Sequence, residues 1–256
     1  MVVNQKSKSA NIGDQLKHCP FPFIFDEIKD WGNLTYSETH AGQGVYKSSE
    51  QVEPHIKNHY LAFNQANGTD PYYFAQKYFF KKYPSINDEI LYCGSSLLAK
   101  LCNPSMEMRL CEWEEKNCKH LLESLENPNF IRNASFHQNI DWLTENDNTV
   151  LLLDPFTVVE EGNDTMDGQL PWYYYKLILE KLSSKNALVM LWFWSETPKS
   201  WMDLVELNVQ DYVRFQANNY NFLVTGFGKG KPLLAKLEQF VYPQWLCQNF
   251  QRSIRL

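Results

Sequence analysis

The chain lacks any long apolar run. In its 256 residues the most hydrophobic segment, 187–194, is eight residues long. That is far short of the roughly 20 needed to cross a bilayer and reads as a buried strand. None of its six cysteines (Cys19, Cys93, Cys102, Cys111, Cys118 and Cys247) stands in a C-x-x-C pair, which speaks against a zinc ribbon. Residues 1–11 are polar and contain no apolar signal segment, so the expectation is a cytoplasmic protein whose thiols are buried or idle. Positive charge is also short: 24 Lys and Arg face 30 Asp and Glu, a net −6. A protein that grips phosphates shows a basic face; the acidity weighs against a nucleic-acid partner, although charges can segregate. No internal repeat or low-complexity tract is present.

What the chain does have is core material. Hydrophobic residues make up 44% and aromatics 15%, enough for one sizeable domain or one domain with an insertion. Strand-like runs fall at 34–39, 108–113, 130–133, 150–153, 187–194, 209–215 and 221–226. Helix-like runs lie between them at 14–28 (interrupted by Pro20 and Pro22), 96–101, 114–125, 172–182 and 233–241. Alternation of this kind, with strands apolar on both faces, predicts an α/β protein built on a mostly parallel sheet, its last two strands forming a hairpin. About 68 residues separate the first two strands, far more than a crossover needs. The reading is therefore a core of 1–46 and 93–256 carrying an inserted, mostly helical subdomain at 47–92, expected to recognise substrate. An extended cap is the plainer alternative.

Ligands of open parallel sheets bind at the carboxyl ends of the strands, and four features fall there. The first is the glycine turn Glu38-Thr39-His40-Ala41-Gly42-Gln43-Gly44. Its glycines let backbone approach a ligand, but the spacing is not the dinucleotide fingerprint G-x-G-x-x-G and no phosphate-cradling lysine follows. An ordinary turn reads the same way. The second is Glu112, ending the second strand, where a carboxylate can accept the hydroxyls of a ribose; an acidic helix start is the plain alternative. The third is Asp154-Pro155-Phe156-Thr157 after an apolar strand. A planar conjugated NH2 is a poor nucleophile because its lone pair is delocalised. The Asp154 carboxylate and the Pro155 carbonyl could accept its two hydrogens and orient that lone pair, with Phe156 stacking on the flat group. In isolation the tetrapeptide also reads as an Asp-Pro turn. The fourth is the Lys17-His18 pair on the N-terminal helix.

Together these segments resemble the S-adenosylmethionine (SAM)-dependent methyltransferases that modify adenine N6 in large-subunit ribosomal RNA. The likeness runs through Gly13-Asp14-Gln15-Leu16-Lys17-His18, Glu38-Thr39-His40-Ala41-Gly42-Gln43-Gly44, Gly94-Ser95-Ser96-Leu97-Leu98-Ala99, Leu110-Cys111-Glu112 and Leu151-Leu152-Leu153-Asp154-Pro155. The resemblance implies a Rossmann-like methyltransferase fold with a seven-stranded sheet. It implies cofactor contacts from His18, His40, Ser95 and Glu112, with Ser135 and Phe136 at the adenine-side turn. Asp154 would be the catalytic acceptor and Lys17 an active-site residue, with direct transfer from sulfonium to nitrogen and no metal. Gly42, in the glycine turn, joins the cofactor set.

The sequence departs from the family where the substrate would sit. The family's Asp-Pro-Pro-aromatic becomes Asp154-Pro155-Phe156-Thr157, and Val3, Asn4 and Gln5 stand where an aromatic and a histidine are expected. The favoured substrate is therefore the side-chain carboxamide of Asn or Gln in a peptide or protein, as in the maturation of peptide natural products. The alternative is adenine N6 in RNA, to which the basic-aromatic run Tyr78-Phe79-Phe80-Lys81-Lys82-Tyr83 would contribute. A binding module that kept the fold without chemistry is a third reading; Asp154, His40 and Glu112 argue against it. His55 and His59 lie one helical turn apart but lack a third metal ligand, and the glycine-rich stretch 226–230 has the wrong spacing for a phosphate loop.

Overall fold

The computed structural model describes residues 12–47, 91–125, 127, 130–155, 157–159, 169–194, 211–217, 219–242 and 250–255. Phe156, His55, His59, the run 78–83 and nearly all of the inserted segment lie outside the described residues, as do residues 3–5.

Helix α1 (Ile12–His18) and helix α2 (Phe21–Glu27) come first. The helical run over 14–28, expected to be interrupted by its prolines, is two short helices, parted where Pro20 cannot supply an amide to continue the first. Strand β1 (Thr35–Glu38) follows, then β2 (Val45–Lys47) and β3 (Leu91–Cys93). These last two pair antiparallel, Tyr46 opposite Tyr92, so the two ends of the inserted segment are stitched together at its base. Helix α3 (Ser95–Cys102), β4 (Glu107–Cys111), helix α4 (Glu115–Leu125), β5 (Ile131–Arg132) and helix α5 (Ile140–Thr144) complete the first half. The second half holds β6 (Asn148–Leu153), the short parallel pair β7 (Thr157–Val159) and β8 (Gln169–Pro171), helix α6 (Trp172–Leu182) and β9 (Asn186–Trp194). It ends with β10 (Tyr212–Ala217), β11 (Tyr220–Phe227), helix α7 (Lys231–Glu238) and β12 (Phe250–Arg255).

Eight strands form one sheet in the order β12-β10-β11-β9-β6-β1-β4-β5. Strands β5, β4, β1, β6 and β9 run parallel, and β11 is inserted antiparallel beside β9. This is the Rossmann-like methyltransferase architecture. The seven strands read from the sequence are all present; β12, antiparallel to β10, adds an eighth.

Side chains alternate between the two faces of the strands, as the period of two demands. Val150 and Leu152 join one buried cluster with Tyr36, Leu188, Met190 and Phe222, beneath α1, α2, α3 and α7. Leu151 and Leu153 join the other with Val189, Leu191 and Leu223. Helix α6 packs there through Tyr175, Ile178, Leu179 and Leu182, the i, i+3, i+4, i+7 stripe of an amphipathic helix. Because both faces are covered, the open side of the sheet is its carboxyl edge. Strand β1 lies between β4 and β6, so connections diverge to opposite sides there and leave a crevice.

Candidate active site at the carboxyl edge of the sheet

A cavity of about 350 Å³ opens in that crevice, within the range of small-molecule sites. Lys17, His18, His40, Gly42, Ser95, Glu112, Ser135, Phe136 and Asp154 all line it. Pro155 is buried beside it at the end of β6 and is not among the lining residues; Phe156 lies outside the described residues.

The floor is the glycine turn after β1. Gly42 and Gly44 both have positive φ, +62° and +75°, which side-chain-bearing residues adopt only at a cost. A Cβ on Gly42 would sit 2.0 Å from the Tyr46 hydroxyl. The turn is tied to its neighbours by backbone bonds: Thr39 N–H donates to Leu152 O and Ala41 N–H to Cys111 O, at 3.1 and 3.0 Å. Glu112 seals one side. Its two carboxylate oxygens accept N–H bonds from Gly42 (2.8 Å) and Glu114 (2.9 Å). Burial raises its pKa and those two amides oppose the rise.

Helix α1 supplies the opposite wall, and its approach depends on Gly13. A Cβ there would lie 2.4 Å from Tyr220 and 2.8 Å from Trp192. The Trp192 indole N–H donates to Gly13 O at 3.0 Å, and the Trp192 ring stacks on Tyr220. With the helix so seated, the Lys17 ammonium stands 5.1 Å over the Trp192 ring and donates to Asp154 Oδ2. It also pairs with Asp14 at 3.1 Å. Burial alone would lower the Lys17 pKa; Asp154, Asp14 and Glu38 more than offset this and hold it above its ordinary value. Asp154 is raised by burial, with Lys17 pulling against the rise. Its other oxygen, Oδ1, is buried without a hydrogen-bond partner among the described residues.

His18 and His40 are neutral. Burial, then repulsion from Lys17, drives His18 well below its usual value. Burial, then His137 and Lys17, takes His40 down to about 3. His40 shares a 2.8 Å hydrogen bond with Thr39 and lies against Phe136, while Ser135 Oγ and His137 Nδ1 are 2.9 Å apart. His18 Nδ1 is 2.7 Å from the Tyr92 hydroxyl, and its Nε2 is buried with no hydrogen-bond partner among the described residues.

Several residues at the site were not singled out from sequence. Glu38 is fully buried at the end of β1. It accepts hydrogen bonds from the Tyr36 hydroxyl (2.9 Å) and from Ser95 Oγ, and burial, then Asp154, raises it to about 8. The Ser95 proton is thus directed at Glu38, and what Ser95 presents to the cavity is its oxygen and the first turn of α3. The signal for Glu38 was an acid closing a buried strand, with Tyr36 two residues earlier on the same face. Tyr46, Tyr92, Asp14 and Trp113 also line the cavity; as aromatics or surface-like acids they carry no distinctive spacing. Trp192, whose place in an apolar strand reads as core or cleft wall, lines it too.

Fold and cleft together define the Rossmann-like methyltransferase architecture with an opening at its switch point. Among solved structures, the chain is similar to protein LPL1258 from Legionella pneumophila str. Philadelphia 1, of family DUF519. The TM-score is 0.66 at 14% identity, covering 96% of this chain and 97% of that one. At that identity the likeness shows a shared fold over nearly the whole of both chains. A precorrin-6y C5,15-methyltransferase from Geobacter metallireducens GS-15 matches at a TM-score of 0.38 and 9% identity, over 81% of this chain and 87% of that one. That likeness is too slight to carry an argument. No protein-family model matches the sequence, and no curated protein matches it. Among the described residues no helix is long and apolar enough to cross a membrane, and no group of three or more His, Cys, Asp or Glu is placed to hold a metal.

Proposed function

We propose that this chain is a SAM-dependent methyltransferase acting on a planar NH2 group, most favourably the side-chain carboxamide of Asn or Gln in a peptide or protein. The observation that carries the reading is the Asp154 carboxylate. One oxygen is held by Lys17, and the other, in a residue of the cavity wall, is buried and without a partner among the described residues. A buried acceptor without a partner is costly, and an incoming N–H donor would satisfy it. Lys17 and the Trp192 ring keep the carboxylate from rotating away, so the acceptor is preorganised. The Pro155 carbonyl would take the second N–H. Two such bonds would fix the plane of the group and leave the nitrogen lone pair facing the donor.

The lining charges fit a cationic cofactor. Four carboxylates, Asp14, Glu112, Glu114 and Asp154, face one ammonium, Lys17. A pyrophosphate-bearing dinucleotide would be repelled, whereas a sulfonium and an α-ammonium would be attracted. Glu112 would meet the ribose, Phe136 and Ser135 the adenine side, and His18 with the start of α3 the α-carboxylate. When bound, SAM supplies a methyl group on a cationic sulfur. The nitrogen that accepted this methyl group would shed a proton as the S–CH3 bond broke, and Asp154 would receive it.

The same acidic lining favours a peptide over a polyanion as substrate, since phosphates would meet carboxylates at the rim. The test is incubation with isotope-labelled SAM and two substrate pools, Asn- and Gln-containing peptides and ribosomal RNA, followed by mass spectrometry. Label on a carboxamide nitrogen supports the reading. Label on adenine N6 alone moves the substrate to RNA, and label on neither overturns the assignment.

A further inference from the structure

We infer that Tyr92 is a positioning residue that fixes the tautomer of His18 and so turns its Nε2 into a hydrogen-bond donor facing the cavity. This rests on the methyltransferase reading only for the identity of the ligand group that meets the donor. His18 is 2% exposed, neutral, and a lining residue of the cavity. A neutral imidazole carries one N–H and one bare nitrogen, and the partner of one nitrogen decides the state of the other. Nδ1 is 2.7 Å from the Tyr92 hydroxyl.

Of the two directions that contact could take, acid-base matching favours one. A phenol is a far stronger acid than a neutral imidazole N–H, and an imidazole nitrogen is a better acceptor than a phenol oxygen. Tyr92 therefore donates to Nδ1, and the single ring proton resides on Nε2. That atom is buried without a partner among the described residues, so a donor is held ready for an acceptor on the ligand. The nearly parallel rings of His18 and Tyr92, centroids 5.8 Å apart and 21° between planes, together with Phe21 edge-on at 5.7 Å, leave the imidazole little freedom to turn.

The acceptor that suits this donor is a carboxylate. It would lie between His18 and Gly94-Ser95, which open α3 at the same wall, where the unpaired amides of the first turn also favour negative charge. Tyr92 itself sits on β3, paired with Tyr46 of β2. The base of the inserted segment thereby sets the ring that receives the ligand.

The test uses the whole protein, 15N-labelled, and long-range proton-nitrogen NMR of the His18 ring without ligand. The expected spectrum shows Nε2 protonated in the wild type and a shift toward the Nδ1-protonated form in Tyr92→Phe. A wild-type ring protonated at Nδ1, or a ring unchanged by Tyr92→Phe, overturns the inference. Calorimetry with S-adenosylhomocysteine supplies the second readout. Tyr92→Phe should weaken binding about five- to tenfold, the size of one hydrogen bond. His18→Gln places an amide donor near the position of Nε2 and should retain most of the affinity. In that background Tyr92→Phe should add nothing. An equal loss in both backgrounds would make Tyr92 merely structural and overturn the inference. A wild type that binds no S-adenosylhomocysteine sinks the methyltransferase reading instead, while the ring spectrum still decides the role of Tyr92.

Discussion

Lys17 and Asp154 stand 137 positions apart in the chain and meet in one ion pair at the wall of the cavity. The pair exists because β6 ends at Leu153 beside β1 and because α1 lies close over Trp192. It leaves Asp154 with one committed oxygen and one buried oxygen that has no hydrogen-bond partner among the described residues. A buried ion pair is weak evidence of stabilisation, since desolvation offsets much of the attraction. Its value here is orientation.

Replacing Asp154 by Asn keeps the shape and removes the charge. Methyl transfer should fall about 10²- to 10³-fold, the loss seen when one preorganised polar partner of a transition state is removed. Cofactor affinity should change little if, as proposed, the side chain meets the nitrogen to be methylated. The check is single-turnover transfer beside calorimetric binding of S-adenosylhomocysteine. Undiminished transfer by Asp154→Ala would remove the catalytic assignment.

Lys17→Met tests the other half of the pair. Without the ammonium, Asp154 loses the attraction that opposes its burial, so its pKa climbs further. If transfer needs the carboxylate ionised, the acid limb of the pH-rate profile should move to higher pH. An unmoved limb would mean that Lys17 does not act through Asp154.

Gly13 makes that pair possible from a distance. An added methyl would press on Tyr220 and Trp192 at separations no real Cβ tolerates. Gly13→Ala should therefore cost about 1–3 kcal/mol of stability by overpacking and displace Lys17 from Asp154. Urea denaturation measures the first effect and the transfer rate the second. Tyr220→Ala, which empties the nearest contact, should recover part of both in the double variant.

Much of this was legible in the sequence, and the reasons are local. Residues 150–153 and 187–194 announce themselves by unbroken hydrophobicity, and the Trp172–Leu182 helix by its stripe. The carboxyl-end residues Glu112 and Asp154 were visible because an acid after an apolar strand has nowhere else to face. Strand β12 was not seen, because Phe250-Gln251-Arg252-Ser253-Ile254-Arg255 is mostly polar and lies at an edge, where one neighbour suffices. The division of labour at Ser95 was also hidden. Its proton goes to Glu38, 57 positions away, and no spacing rule connects them. Tyr92 and Trp192 gain their roles from packing across the sheet edge, which only the tertiary structure supplies.

Glu38 gives the protein a pH signature. Its folded-state pKa, about 8, lies above the ordinary 4.5. The native state thus holds a proton that the unfolded chain releases above pH 4.5, and the stability it contributes is present at low pH and lost as pH rises through 8. The slope cannot exceed about 1.4 kcal/mol per pH unit for one group. His18 and His40 act oppositely. Their lowered values mean the unfolded state takes up protons first, so their contribution is present above pH 6.5 and lost below it. Melting temperature should decline between pH 6.5 and 8 in the wild type. Glu38→Gln, which keeps acceptors and donors but cannot ionise, should flatten that decline. A variant that declines just as steeply would place the proton elsewhere.

Glu112 and Gly42 offer a paired test of the proposed cofactor wall. The carboxylate is fixed by the amides of Gly42 and Glu114 and keeps lone pairs that the proposed ribose would use. In Glu112→Gln the new NH2 must face either an amide donor or the ligand, so one hydrogen bond becomes a repulsion. Affinity for S-adenosylhomocysteine should drop about tenfold or more, since a hydrogen bond to a charged group contributes roughly 1.5–3 kcal/mol. Gly42→Ala should be worse still, because its positive φ and the Tyr46 hydroxyl at 2.0 Å both oppose a side chain. Adding Tyr46→Phe relieves the contact and leaves the backbone penalty, so affinity should return in part only. Full return would mean that the crowding by Tyr46, and not the left-handed backbone at residue 42, is what demands glycine there.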